Sequence, residues 1–217
     1  MKNKQKTTKL VGIATLLTLI VVLQLLSNYI QIGSVSITLA LVPMVIGGII
    51  YGPLTGMLLG FAMGLLAIVA PATIAFFWPV NPTATVLICL IKGALSGFIP
   101  ALLYKALRFW SKKLSVIIAS VLTPIINTGI FLVGAAIFFK SVYGATNTLS
   151  AFSVIMGGIL VNFTIEFAVN VVLSTTVYSL VVMGEDKLNI NITVNSTPQE
   201  DSKPDFEIVD ATLDDKE

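Results

Sequence analysis

The sequence has no histidine and one cysteine, and between Leu10 and Gly184 it carries seven charged side chains, of which Glu166 alone is acidic. Without histidine the chain lacks the usual zinc ligand and the side chain most often used for proton transfer near neutral pH, so most metal-hydrolase and rhomboid-like readings fail. Cys89 lies inside an apolar run. It cannot close an internal disulfide, reads as a small packing residue and leaves the redox compartment open. No Walker A motif is present, nor a Gly-x-Gly-x-x-Gly before a soluble helix, so any ATP-driven work must fall to another chain. No cofactor and no nucleic-acid partner is expected. Charged residues make up 11% of the 217, against about 25% in an ordinary soluble domain. With 56% hydrophobic residues and a mean hydropathy of +0.95, a water-soluble fold is excluded in favour of a lipid bilayer as solvent.

What is present is a series of long apolar runs. A helix needs about 20 apolar residues to cross a hydrocarbon core of roughly 30 Å. The pattern predicts an all-α integral membrane protein with six spans, near 9–28, 36–51, 53–70, 84–107, 115–139 and 151–183. The first run follows Lys2, Lys4, Lys6 and Lys9 like a secretory signal, but it is long and no A-x-A-like site follows, so it reads as a retained span. The second run is short and contains Pro43; a hairpin break at Gly52-Pro53 separates it from the third. With that break, the amino-terminal lysines and the basic connection Lys105, Arg108, Lys112, Lys113 fall on one side. The uncharged connections 29–35 and 71–83 fall on the other. This is the positive-inside pattern, with both termini cytoplasmic, and a bacterial plasma membrane is the expected location. Gly56, Gly60 and Gly64 on the third span, and Gly93, Gly97 and Ala101 on the fourth, recur every four residues and allow close helix approach. The chain divides into a membrane domain, 1–184, and a tail, 185–217, whose acidity and lack of aromatics predict cytoplasmic disorder.

Intramembrane ionisable groups are costly and need partners. Lys92 on the fourth span and Glu166 on the sixth are the two such groups. Counting residues puts Lys92 roughly 12 Å below the outer face and Glu166 roughly 22 Å below it. Two readings stand: a structural Lys92–Glu166 bridge, or a Lys92 that faces an outer cavity and attracts an anionic or carbonyl-rich solute. Asn162, Glu166 and Asn170 form one stripe on the sixth span, and Asn127 follows Pro124 on the fifth. These groups either bond between helices or line a common cavity with Lys92. The outer connection Phe76-Phe77-Trp78-Pro79-Val80-Asn81-Pro82 is either an interface anchor or a stiff aromatic lid, with Trp78 and Asn81 as candidate contacts. The first outer connection, Asn28 to Ser34, is uncharged and suited to gating.

The run Leu41-Val42-Pro43-Met44-Val45-Ile46-Gly47-Gly48-Ile49-Ile50-Tyr51-Gly52-Pro53, with Gly56 and Gly60 after it and Lys92-Gly93-Ala94-Leu95-Ser96-Gly97 later, resembles the S components of energy-coupling-factor (ECF) transporters. The resemblance spans residues 8–183. It implies a six-helix subunit that captures a vitamin-like small molecule outside the cell and associates with a T transmembrane subunit and a pair of ATPases. It also implies a small-x-x-x-small docking face on the first helix, here Ala14 and Thr18, where the family often has two alanines. Family ligands sit near the outer ends of helices 4 to 6. That is where Lys92, Asn127, Asn162, Glu166, Trp78 and Asn81 are proposed to bind substrate. The basic Lys92 favours an anionic vitamin, pantothenate first. The alternatives are a membrane-embedded enzyme, for which one buried acid is poor equipment, and a scaffold without ligand.

Overall fold

The computed structural model describes residues 2–29, 31–32, 35–36, 38–144 and 147–188. Apart from a two-residue antiparallel pairing of β1 (Gln31–Ile32) with β2 (Val35–Ser36), it is helical: α1 Lys2–Ser27, α2 Leu41–Tyr51, α3 Pro53–Ile68, α4 Pro71–Phe76, α5 Pro82–Leu107, α6 Lys112–Phe138 and α7 Thr148–Leu188. A single 3-10 turn, Lys140–Tyr143, joins α6 to α7. Three of these helices, α1 from Lys6, α5 and α6, are long and apolar enough to cross a membrane. In α7 an apolar pair, Phe163–Leu173 and Thr176–Met183, meets at a 47° bend.

The α2–α3 break falls where the sequence places it. Gly52 adopts φ 104°, which a side chain would resist, and Pro53 starts α3, where its missing N–H costs nothing. At 11 residues α2 is about 17 Å long, too short to cross alone. Nearly all of α2 is buried, between α1, α3, α5 and α7. Apolar residues around its whole circumference suit that central position.

The small-residue ladders meet each other. A Cβ on Gly56 would run into the carbonyl of Gly97, one on Gly60 into that of Gly93, and one on Gly64 into that of Cys89. Backbone therefore lies on backbone along α3 and α5, the closeness expected where packing and not hydrophobic drive holds helices together. At one end of the bundle, Ile49, Ile50, Tyr104, Val116, Ala119, Val177 and Val181 form one core, joining the last turns of α7 to the end of α5 and the start of α6. Residues 189–217 of the acidic tail lie outside the described residues. Helix α7 runs four residues past the domain boundary drawn at 184.

Candidate functional site

Glu166 projects from α7 into the protein and is 4% exposed. Its carboxylate accepts the backbone N–H of Thr38 at 2.6 Å and the hydroxyl of Thr128 on α6 at 3.5 Å. Thr38 stands three residues before α2, so the carboxylate ties α7 to the approach to α2.

The two charges sense one another electrostatically, but no carboxylate among the described residues lies within 4.0 Å of the Lys92 ammonium. Lys92 Nζ instead sits 5.2 Å from the ring centre of Phe131, a cation–π arrangement. Phe131 meets Phe77 edge-on at 5.6 Å, and Phe77 meets Phe139 at 5.0 Å. An aromatic wall thus runs from Lys92 to the connection between α4 and α5.

Asn127, on α6 immediately before Thr128, is 3% exposed, and among the described residues its Oδ1 has no hydrogen-bond partner. An unpaired buried acceptor costs about 1–3 kcal/mol, a standing cost that a ligand donor removes. Asn170 donates from its amide to the Glu166 carbonyl at 2.8 Å, closing the lower end of the polar stripe within α7. The side chain of Asn162 lies outside the described residues.

Trp78 and Asn81 have structural partners. The Trp78 indole donates to the Ile68 carbonyl at 3.1 Å with the ring 38% exposed, tying the connection to the end of α3. Asn81 caps α5 by accepting the Ala84 N–H at 3.1 Å. Within this connection Phe77 is the residue that turns inward, at 4% exposure, while Trp78 turns outward. On α1, Ala14 and Thr18 are both exposed, and the Thr18 hydroxyl donates to the Ala14 carbonyl at 3.0 Å. That internal bond masks the hydroxyl, so Thr18 presents a small, largely apolar face, as an alanine would.

Sequence reasoning did not single out Phe131, Phe139 or Thr38. The two phenylalanines sit in runs that are apolar on every side, and Thr38 contributes a backbone amide, which residue identity does not reveal.

Among the described residues no cluster of three metal-ligating side chains is found, and the polar groups gathered here are suited to holding a solute, with no nucleophile paired to a base. A comparison with curated proteins finds no match. The polar site set among apolar helices, the α2–α3 break and the glycine ladders all lie within residues 8–178, the stretch matched by the family model "ECF transporter, substrate-specific component", and the chain belongs to that family.

Proposed function

We propose that this chain, from a family of substrate-specific subunits of membrane transporters for vitamins and micronutrients that work with a T subunit and ATPases, captures an anionic vitamin, pantothenate first, at a site in the outer half of the membrane between α5, α6 and α7. Lys92 supplies the charge, Asn127 accepts a hydroxyl or amide proton, and Phe131 and Phe77 form the wall. Glu166 holds the first connection over the site through Thr38. Asn162 belongs to the same site, and Trp78 and Asn81 shape its outer rim.

One observation carries this reading: Glu166 is already hydrogen-bonded to Thr38 and Thr128, while Lys92 has no carboxylate in contact range among the described residues. A half-buried cation within a span that has no tight counter-ion is costly, and an anionic ligand removes the cost. Asn127 adds an acceptor suited to the hydroxyl and amide groups of pantothenate.

In the same proposal the chain crosses a bacterial plasma membrane six times with both termini cytoplasmic. It delivers its ligand through a T subunit at Ala14 and Thr18, and a pair of ATPases hydrolyses the ATP. The test is equilibrium binding of labelled pantothenate to the purified chain, with riboflavin, folate and the cationic vitamin thiamine as competitors. Saturable pantothenate binding that thiamine does not displace is the expected result. Tight binding of thiamine, or no binding of any anionic vitamin, overturns the charge assignment.

A further inference from the structure

The α5–α6 turn concentrates positive charge at one end of the bundle. Lys105 lies in the last turn of α5 and Arg108 caps it, while Lys112 and Lys113 open α6. The first turn of α6 holds no acidic side chain, although a helix amino terminus favours negative charge. Lys105, Lys112 and Lys113 are exposed, and between them Phe109 and Trp110 stand 68% and 90% exposed. Lys105 and Arg108 also line a shallow crevice with Gly52, Pro53 and Tyr104.

Helix α7 ends next to this turn. Val177 and Val181 pack in one core with Tyr104 of α5 and Val116 of α6, and Leu188 lies two turns further on. The 29 residues that follow include eight carboxylates between Glu200 and Glu217 against two lysines. Eleven residues separate Leu188 from Glu200, a length over which a random coil spans roughly 18 Å root-mean-square. The acidic stretch is therefore delivered close to the basic turn.

We propose that the segment 200–217 docks on the basic turn formed by Lys105, Arg108, Lys112 and Lys113 of its own chain. Tethering raises the local concentration of the segment to the millimolar range, so a weak, charge-driven contact is enough to populate the docked state. The docked segment, with eight carboxylates against two lysines, outweighs the four positive charges of the turn. An anionic lipid or an acidic partner surface engages the turn only after the segment leaves, which makes the tail a competitor at this face. The inference does not depend on the identity of the substrate or on the direction of the chain across the membrane.

The exposed Trp110 supplies a built-in contact quencher. The full chain with Cys89→Ala and Ser202→Cys is labelled with bimane and placed in phosphatidylcholine nanodiscs. Its emission is expected about twofold below that of the same chain carrying Trp110→Phe, as a contact populated at millimolar effective concentration requires. The difference is expected to vanish at ~1 M salt, where the screening length is about 3 Å, and when the four basic residues are replaced by glutamine. A second set of variants, Asp201→Asn, Asp205→Asn and Glu207→Gln, changes only the tail and leaves the bundle intact, and it too is expected to relieve the quenching. Emission that is independent of Trp110, or quenching that survives both sets of charge removal, overturns the proposal. In nanodiscs containing phosphatidylglycerol the quenching is expected to weaken, as competition of an anionic surface for the same turn requires; quenching unchanged there would remove the competition.

Discussion

The Glu166 carboxylate joins three elements: α7, on which it stands, α6 through Thr128, and the α1–α2 connection through the Thr38 amide. Replacing it with alanine strands a part-buried N–H, at a cost of about 1–3 kcal/mol, and releases that connection. Glu166→Gln keeps an acceptor for the amide. Thermal unfolding in detergent, with hydrogen exchange read at Thr38, is expected to show a large loss for Glu166→Ala and a small one for Glu166→Gln. Equal exchange at Thr38 in wild type and Glu166→Ala would remove the latch role. At this scale the sequence is informative where chemistry contrasts with its surroundings. Lys92, Asn127 and Glu166 stand out because each is polar in an apolar run. Phe131 and Phe139 do not, because an aromatic among leucines and isoleucines carries no mark of the direction it faces.

Among the elements, the α3–α5 crossing is the tightest contact and the least tolerant of added volume. Gly60→Ala or Gly97→Ala would push a methyl group into the opposing carbonyl, and overpacking of this kind costs about 1–3 kcal/mol. Gly157→Ala on α7 meets open space and serves as the control. Lowered melting temperatures for the first two and an unchanged one for the third are the expected outcome; equal shifts for all three would mean that helix propensity, not close approach, dominates. The exposed small face of α1 behaves differently. Thr18→Leu is expected to abolish uptake in cells supplying the partner subunits while leaving ligand affinity of the isolated chain within twofold, whereas parallel loss of both would indicate misfolding. The glycine spacing and the Gly52-Pro53 break were legible because backbone constraints are written in residue type. Helix α4 was not, since Pro71 and Pro79 mark the segment as a connection and six residues are too few for periodicity to appear. The bend in α7 also escaped notice, as it contains no proline.

For the whole molecule, the charge bias and the helix order make a claim about sidedness that labelling can check directly. In a Cys89→Ala background, cysteine at residue 78 is expected to react with an impermeant reagent from outside and cysteine at residue 110 only after permeabilisation; both wild-type side chains are exposed. Reaction of both from one face would end the six-span arrangement. The family and its general role were readable from the order of degenerate motifs, but the ligand was not, because a site is assembled from helices far apart in sequence and its fit depends on side-chain direction. The central claim is that Lys92 reads a negative charge on the ligand. It is tested most directly by comparing the affinity of pantothenate with that of its neutral alcohol analogue, for wild type, Lys92→Met, Glu166→Gln and the double mutant. If Lys92 pairs with the ligand, wild type prefers the carboxylate by about 1.5–3 kcal/mol, and the preference disappears in Lys92→Met with folded yield retained. An undiminished preference in Lys92→Met, or stability lost in that variant and restored by adding Glu166→Gln with affinity constant throughout, would show that Lys92 serves Glu166 and not the substrate.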